Sequence, residues 1–128
     1  MPRMDKGGKW VFGWVIVDAD RRIRIPQEAW NEYGFHVGEE AVLVRGSRTS
    51  GGFGLANEVS VAEPMGRRAL ARTRFENGRV VALPREAEVE PWQRLLAVRG
   101  SGHALGFIAF GPIFERALKY PSMPQSLP

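Results

Sequence analysis

Apolar and polar positions along the chain group into short blocks rather than long stripes. Trp10–Val17 (WVFGWVIV) is an unbroken run of β-branched and aromatic residues, which predicts a strand. A strict two-residue alternation puts Trp10, Phe12, Trp14 and Ile16 on one face and Val11, Val15 and Val17 on the other. Both faces are apolar, so the strand is expected to be covered on both sides. Asp18-Ala19-Asp20 is a turn signal, and Arg21–Ile25 returns with Ile23 and Ile25 inside and Arg22 and Arg24 outside. Pro26 lacks an N–H, so it ends the ladder and suits the start of a helix. Gln27–Tyr33 is then a helix of about two turns, stopped by a left-handed Gly34. Strands at Ala41–Arg45 and Gly52–Ala56 follow, joined by the loop Gly46–Gly51.

The same pattern then recurs. Asp18–Ala29 (DADRRIRIPQEA) aligns with Glu76–Ala87 (ENGRVVALPREA), with Arg21/Arg79, Pro26/Pro84, Glu28/Glu86 and Ala29/Ala87 identical. Further on, Val44-Arg45-Gly46-Ser47 matches Val98-Arg99-Gly100-Ser101, and Gly52-Phe53 matches Gly106-Phe107. Between these blocks the second copy is four residues shorter, which predicts a truncated helix after Pro84. The second copy otherwise predicts a strand ending at Phe75, a turn at Glu76-Asn77-Gly78, and strands at Arg79–Leu83, Arg94–Arg99 and Gly106–Phe110. The chain therefore reads as a first repeat, 10–57, a basic linker, 58–73, a second repeat, 74–111, and a C-terminal short helix and tail, 112–128. A helix is expected at Ile113–Lys119, and Tyr120–Pro128, with three prolines, is expected to be a mobile tail. One unit of about 45 residues is too small to be stable alone. The expected fold is mainly β with short helices, the two units completing each other as a pseudo-two-fold barrel with no open sheet edge.

The 128 residues contain no cysteine, which removes disulfides, thiolate metal sites and thiol chemistry. No apolar run approaches the roughly 18 residues of a membrane span. MPRMDKGGK lacks the apolar core of a signal peptide, so a cytoplasmic protein without membrane contact is expected. The net charge is +4, unevenly placed. Residues 1–60 balance eight basic against eight acidic side chains, and residues 61–128 carry ten against six. Between Met65 and Arg85 lie Arg67, Arg68, Arg72, Arg74, Arg79 and Arg85, opposed by Glu76 alone. Such a stretch suits a polyanionic partner, and equally a solvated linker face.

Val17–Pro26 (VDADRRIRIP), followed by Tyr33–Val44 (YGFHVGEEAVLV), resembles the AbrB/SpoVT-type swapped-hairpin unit. That family's pattern runs roughly D-x-x-G-R-I-x-I-P, a short helix, then L-G-I-x-x-G-D-x-V-x-V. Two copies in one chain are similar to the tandem arrangement of MraZ-type proteins. The resemblance implies interleaved hairpins, a cradle-loop barrel, and duplex DNA as the partner of a transcriptional regulator. It carries DNA contacts to Arg21, Arg22 and Arg24 in the first copy and to Arg79 and Arg85 in the second. The linker arginines Arg67, Arg68 and Arg72, and Arg74 at the start of the second repeat, join this set on charge. Arg22 and Arg24 correspond to Val80 and Ala82, so the two halves present different surfaces.

Other chemistry finds little footing. His36 and His103 are isolated loop histidines without metal-ligand spacing. Glu86, Glu88 and Glu90 alternate as on a solvated edge rather than as an acid/base pair. The glycines at 51–54 and 100–102 suit hairpin turns, and no Lys-Ser/Thr follows them as in a phosphate loop. Ser47 and Ser101 have no base nearby in sequence. No enzyme activity, cofactor, metal or small-molecule substrate is expected. Trp10, Phe12, Trp14, Trp30 and Trp92 are assigned to packing rather than binding. The alternative function is a protein-interaction or oligomerisation module without DNA binding: an antitoxin-like barrel, or copies of the chain associating through Trp10–Val17.

Overall fold

The computed structural model describes residues 10–47, 50–57, 69–100 and 104–126. The fold is mainly β. Among these residues nine strands form one nearly closed, barrel-shaped sheet, accompanied by two short helices. In chain order the elements are β1 (Val11–Ile16), β2 (Arg22–Arg24), α1 (Gln27–Tyr33), β3 (Glu40–Ser47) and β4 (Gly51–Asn57). Then come β5 (Ala69–Glu76), β6 (Val80–Ala82), a 3-10 turn (Arg85–Ala87), β7 (Arg94–Arg99), β8 (Leu105–Ile108), α2 (Pro112–Leu118) and β9 (Gln125–Ser126). Among the described residues no helix is long and apolar enough to cross a membrane.

The sheet order β2-β6-β5-β3-β4-β8-β7-β1-β9 interleaves the repeats. β5 of the second copy pairs with β3 of the first, and β1 of the first pairs with β7 of the second. The hairpins are thus exchanged within one chain. Asp18 closes the remaining gap: its N–H donates to the Arg22 carbonyl at 2.9 Å. Its Oδ1 also accepts from the N–H groups of Asp20 and Arg22, both at 2.8 Å.

Matched hydrogen bonds reveal an approximate two-fold axis. Ile25 N–H donates to the Arg79 carbonyl at 2.8 Å, and its repeat mate Leu83 donates to Arg21 at 2.9 Å. Val17 N–H donates to Gln93 at 2.9 Å, as Phe75 does to Glu39 at 3.0 Å. Trp92 donates to Val17 and Gly38 to Phe75, both at 2.7 Å. The axis passes between Ile23 and Val81, which face each other in the β2–β6 ladder, and between Phe53 and Phe107, which face each other in the β4–β8 ladder. The two Phe rings stack with centroids 5.1 Å apart and are fully buried. The main core around them draws on both repeats: Phe12, Val15, Val17, Ile25, Leu43 and Leu55 against Phe75, Val81, Leu83, Leu95 and Leu105.

Three sequence expectations are corrected. First, β1 does not alternate strictly. Its pairing with β7 slips between Val11 and Gly13, and the pairing of β3 with β5 slips at the equivalent place, where Leu70 is passed over. A bulge adds one residue and reverses the facing of the residues beyond it. Phe12 therefore shares the main core with Val15 and Val17, while Val11 and Trp14 join Leu96, Val98, Ile108 and Ala117 in a second cluster.

Second, Ala69–Thr73 is not linker but part of β5, the counterpart of β1. The arginines at 72 and 74 hid this strand, because a charged outer face breaks the apolar run seen in its twin. Third, the tail contains a strand, β9, at Gln125–Ser126. β9 runs parallel to β1, and the Pro124 carbonyl accepts from Trp14 N–H at 2.8 Å. Gly13 permits this approach, since a Cβ there would collide with the Pro124 carbonyl. With α2 and this tail over its outer face and β7 and β9 on its edges, β1 offers no free edge at Trp14 or Val15 to another copy.

Because the halves share one core, unfolding is expected to be a single cooperative transition. Phe53→Ala, which empties half of the stack on the axis, is expected to cost about 3–5 kcal/mol. Urea titration followed by far-UV circular dichroism checks both; two separated transitions would show that the repeats are independent.

Candidate nucleic-acid interface

The three strands β2, β6 and β5 turn Ile23, Val81 and Phe75 inward, so their alternate residues face out. That outer face carries Arg22 and Arg24 on β2, Val80 and Ala82 on β6, and Arg72, Arg74 and Glu76 on β5. Strands lie about 4.8 Å apart, so the two arginine-bearing strands are roughly 10 Å from each other. Between them stand the short side chains of Val80 and Ala82.

The guanidinium groups are held at the surface. Arg22 Nε lies 3.5 Å from Glu76 and its Nη1 lies 3.9 Å from Asp20. Arg24 Nη1 donates to the Gly78 carbonyl at 3.1 Å, and Arg74 Nη1 to the Gly38 carbonyl at 2.7 Å. Arg72 Nη1 pairs with Glu40 at 2.6 Å. These are exposed contacts, each worth about 0–1 kcal/mol, so a phosphate can displace them at small cost. Against Arg22, Arg24, Arg72 and Arg74 stand Glu76, Glu40 and Asp20, a margin of one positive charge.

Arg21 and Arg79 end the two β-turns with φ of 60° and 62°, a left-handed conformation uncommon for any residue but glycine. They are identical in sequence and differ in use. Arg79 Nε donates to the Ile25 carbonyl at 2.9 Å and its Nη1 to Gln27 Oε1 at 3.0 Å, fastening the second repeat to the first. Arg21 is exposed and makes no side-chain hydrogen bond or ion pair with the described residues. Arg85 sits in the 3-10 turn beyond β6, off the three-strand face. Arg67 and Arg68 lie outside the described residues, as does His103.

The two-fold axis exchanges β2 with β6 inside this face and β5 with β1 at its margins. Trp14 and Ile16 are the repeat mates of Arg72 and Arg74. On their side Trp14 is buried beneath α2, its ring 5.0 Å from that of Phe114 in an edge contact. The β1 position is thus capped with apolar packing, while the equivalent β5 position bears arginines.

Three features escaped sequence reasoning. Arg99 makes a bidentate pair with Glu32 at 2.6 and 2.7 Å and lies over the Trp10 ring, docking α1 onto β7. This hydrogen bonding holds the Arg99 guanidinium still more firmly protonated, while burial pushes the neighbouring Tyr33 phenol above its ordinary value. Arg94 lies over Trp14 at 4.9 Å. Trp92, assigned to packing on sequence, is the most exposed large apolar side chain among the described residues, at 64%. Its mate Gly38 was the available signal: a residue equivalent to an exposed turn glycine has no core to fill.

Comparison with family models, curated proteins and solved structures finds no match for this chain.

The unequal use of the paired arginines is testable by thermal and urea melts. Arg79→Ala keeps a Cβ, hence the same backbone strain, and is expected to cost about 1–3 kcal/mol through the lost charge-assisted bonds. Arg21→Gly relieves a left-handed non-glycine residue and is expected to leave stability unchanged or raise it.

Proposed function

We propose that the protein is an AbrB/SpoVT-like DNA-binding regulator that works in the cytoplasm and grips duplex DNA with the outer face of β2, β6 and β5. The observation that carries this reading is the gathering of Arg22, Arg24, Arg72 and Arg74 on one outward face, where Arg72 stands exposed at the position that its repeat mate Trp14 fills with covered apolar packing. Guanidinium groups suit phosphate oxygens bidentately. Arg72 and Arg74 on β5 are assigned to the backbone, which sets position, and Arg22 and Arg24 to base edges. Arg21 extends the face at the turn, and Arg79 acts by holding β2 and β6 in register. Since the axis relates Arg22 and Arg24 to Val80 and Ala82, a single chain presents an asymmetric reading surface.

A second reading, a protein-interaction module without DNA binding, is favoured by one observation: Arg22 and Arg72 already face Glu76 and Glu40.

Titration of a labelled duplex by fluorescence anisotropy at several salt concentrations separates the two. Phosphate contacts from Arg72 and Arg74, with Arg21 as a third, predict a slope of about −2 to −3 in log K against log salt. Arg72→Ala is expected to lower the slope by about one and weaken all sequences alike, while Arg24→Ala relaxes sequence preference. A flat salt response, or no binding at low salt, favours the second reading.

A further inference from the structure

The second repeat carries an exposed loop whose chemistry its twin lacks. Glu88, Glu90 and Trp92 stand where the first repeat has Gly34, His36 and Gly38, and all three are exposed. The loop is fixed at its base. Val89 is buried, Trp92 N–H donates to the Val17 carbonyl, and the turn between Glu90 and Gln93 is closed by Gln93 N–H to the Glu90 carbonyl at 3.1 Å and Glu90 N–H to Gln93 Oε1 at 2.9 Å. Trp92 takes φ of 69°, where Gly38 takes 87°. A bulky residue gains no burial there to offset the steric cost of that conformation. Its ring is held at the surface by a backbone that cannot withdraw it.

We propose that this loop docks a cationic peptide segment of a partner protein, an arginine or lysine side chain lying on the Trp92 ring while Glu88 and Glu90 face its charge. The occupant is set by complementarity. An aromatic face attracts cations, more strongly as they lose water, and tryptophan attracts them best. The adjoining carboxylates repel a nucleic-acid backbone and attract guanidinium or ammonium groups. The site does not depend on DNA binding by the arginine-bearing face.

The whole chain carries +4, so a cationic peptide is repelled overall, and saturable binding reports a local site. The probe is a soluble peptide of alternating arginine and alanine, with a glutamate–alanine peptide as control. Binding is followed by isothermal titration and by tryptophan emission, in which Trp92 is the exposed member of the chain's four tryptophans.

The arginine peptide is expected to bind saturably and change the emission. Trp92→Gly, which suits the backbone and keeps the fold, is expected to weaken it about tenfold. Trp92→Phe retains part of the affinity, and Glu88→Gln with Glu90→Gln loses several-fold. Thermal stability of Trp92→Gly is expected to equal or exceed that of the parent. Equal binding of the two peptides, no binding of the arginine peptide, or unchanged affinity in Trp92→Gly overturns the proposal. So does a marked loss of thermal stability in that variant, which would make Trp92 a packing residue.

Discussion

Phe53 and Phe107 stack across the approximate two-fold axis, and each comes from a different repeat. Ile23 and Val81 meet on the same axis at the other side of the barrel. Neither copy encloses a core of its own, because every strand pair except β3–β4, β5–β6 and β7–β8 joins one repeat to the other or brings in the tail. The apolar area removed from water at this shared core, at roughly 25 cal/mol per Å², is the driving term that an isolated copy cannot reach. The exchange of hairpins, the matched hydrogen bonds and the near closure of the sheet all stem from that requirement.

A duplicated fold normally carries duplicated surfaces, and here the surfaces have parted. The outward position that holds Trp14 in one half holds Arg72 in the other. Covering Trp14 takes the helix α2, the strand β9 and a glycine at position 13. Arg72 is exposed, with the Glu40 carboxylate beside it. The same substitution that makes β5 charged also makes it hard to see as the twin of β1. Likewise Gly38 and Trp92 occupy one backbone site with opposite consequences, one leaving the surface bare and the other placing an aromatic ring on it.

Symmetry-related residues also differ in their mechanical role. Arg79 reaches back to the Ile25 carbonyl and to Gln27, so it belongs to the seam between repeats, while Arg21 projects into solvent. The difference originates in the helices: α1 offers Gln27 to Arg79, whereas the shortened 3-10 turn after Pro84 has Arg85 in the corresponding place. The exchange of Gln27 for Arg85 thereby separates the arginine that serves the fold from the one that projects into solvent.

The sequence by itself determined the repeat, the turns, the boundaries of α1 and β7, and the left-handed stop at Gly34. These are local: proline, glycine and β-branched residues act on their own backbone or that of the next residue. It also separated Ile23 and Ile25 from Arg22 and Arg24, since alternation holds in so short a strand. Only the tertiary structure decided the facing of Phe12, which depends on a bulge against β7, and the identity of β5, whose inner face is recognisable only once β3 lies beside it. It alone brought Arg22 and Arg24 onto one face with Arg72 and Arg74, through β6 placed between them, and laid the proline-rich tail against β1. Those outcomes depend on contacts between residues far apart in the chain, and local preference carries no information about them.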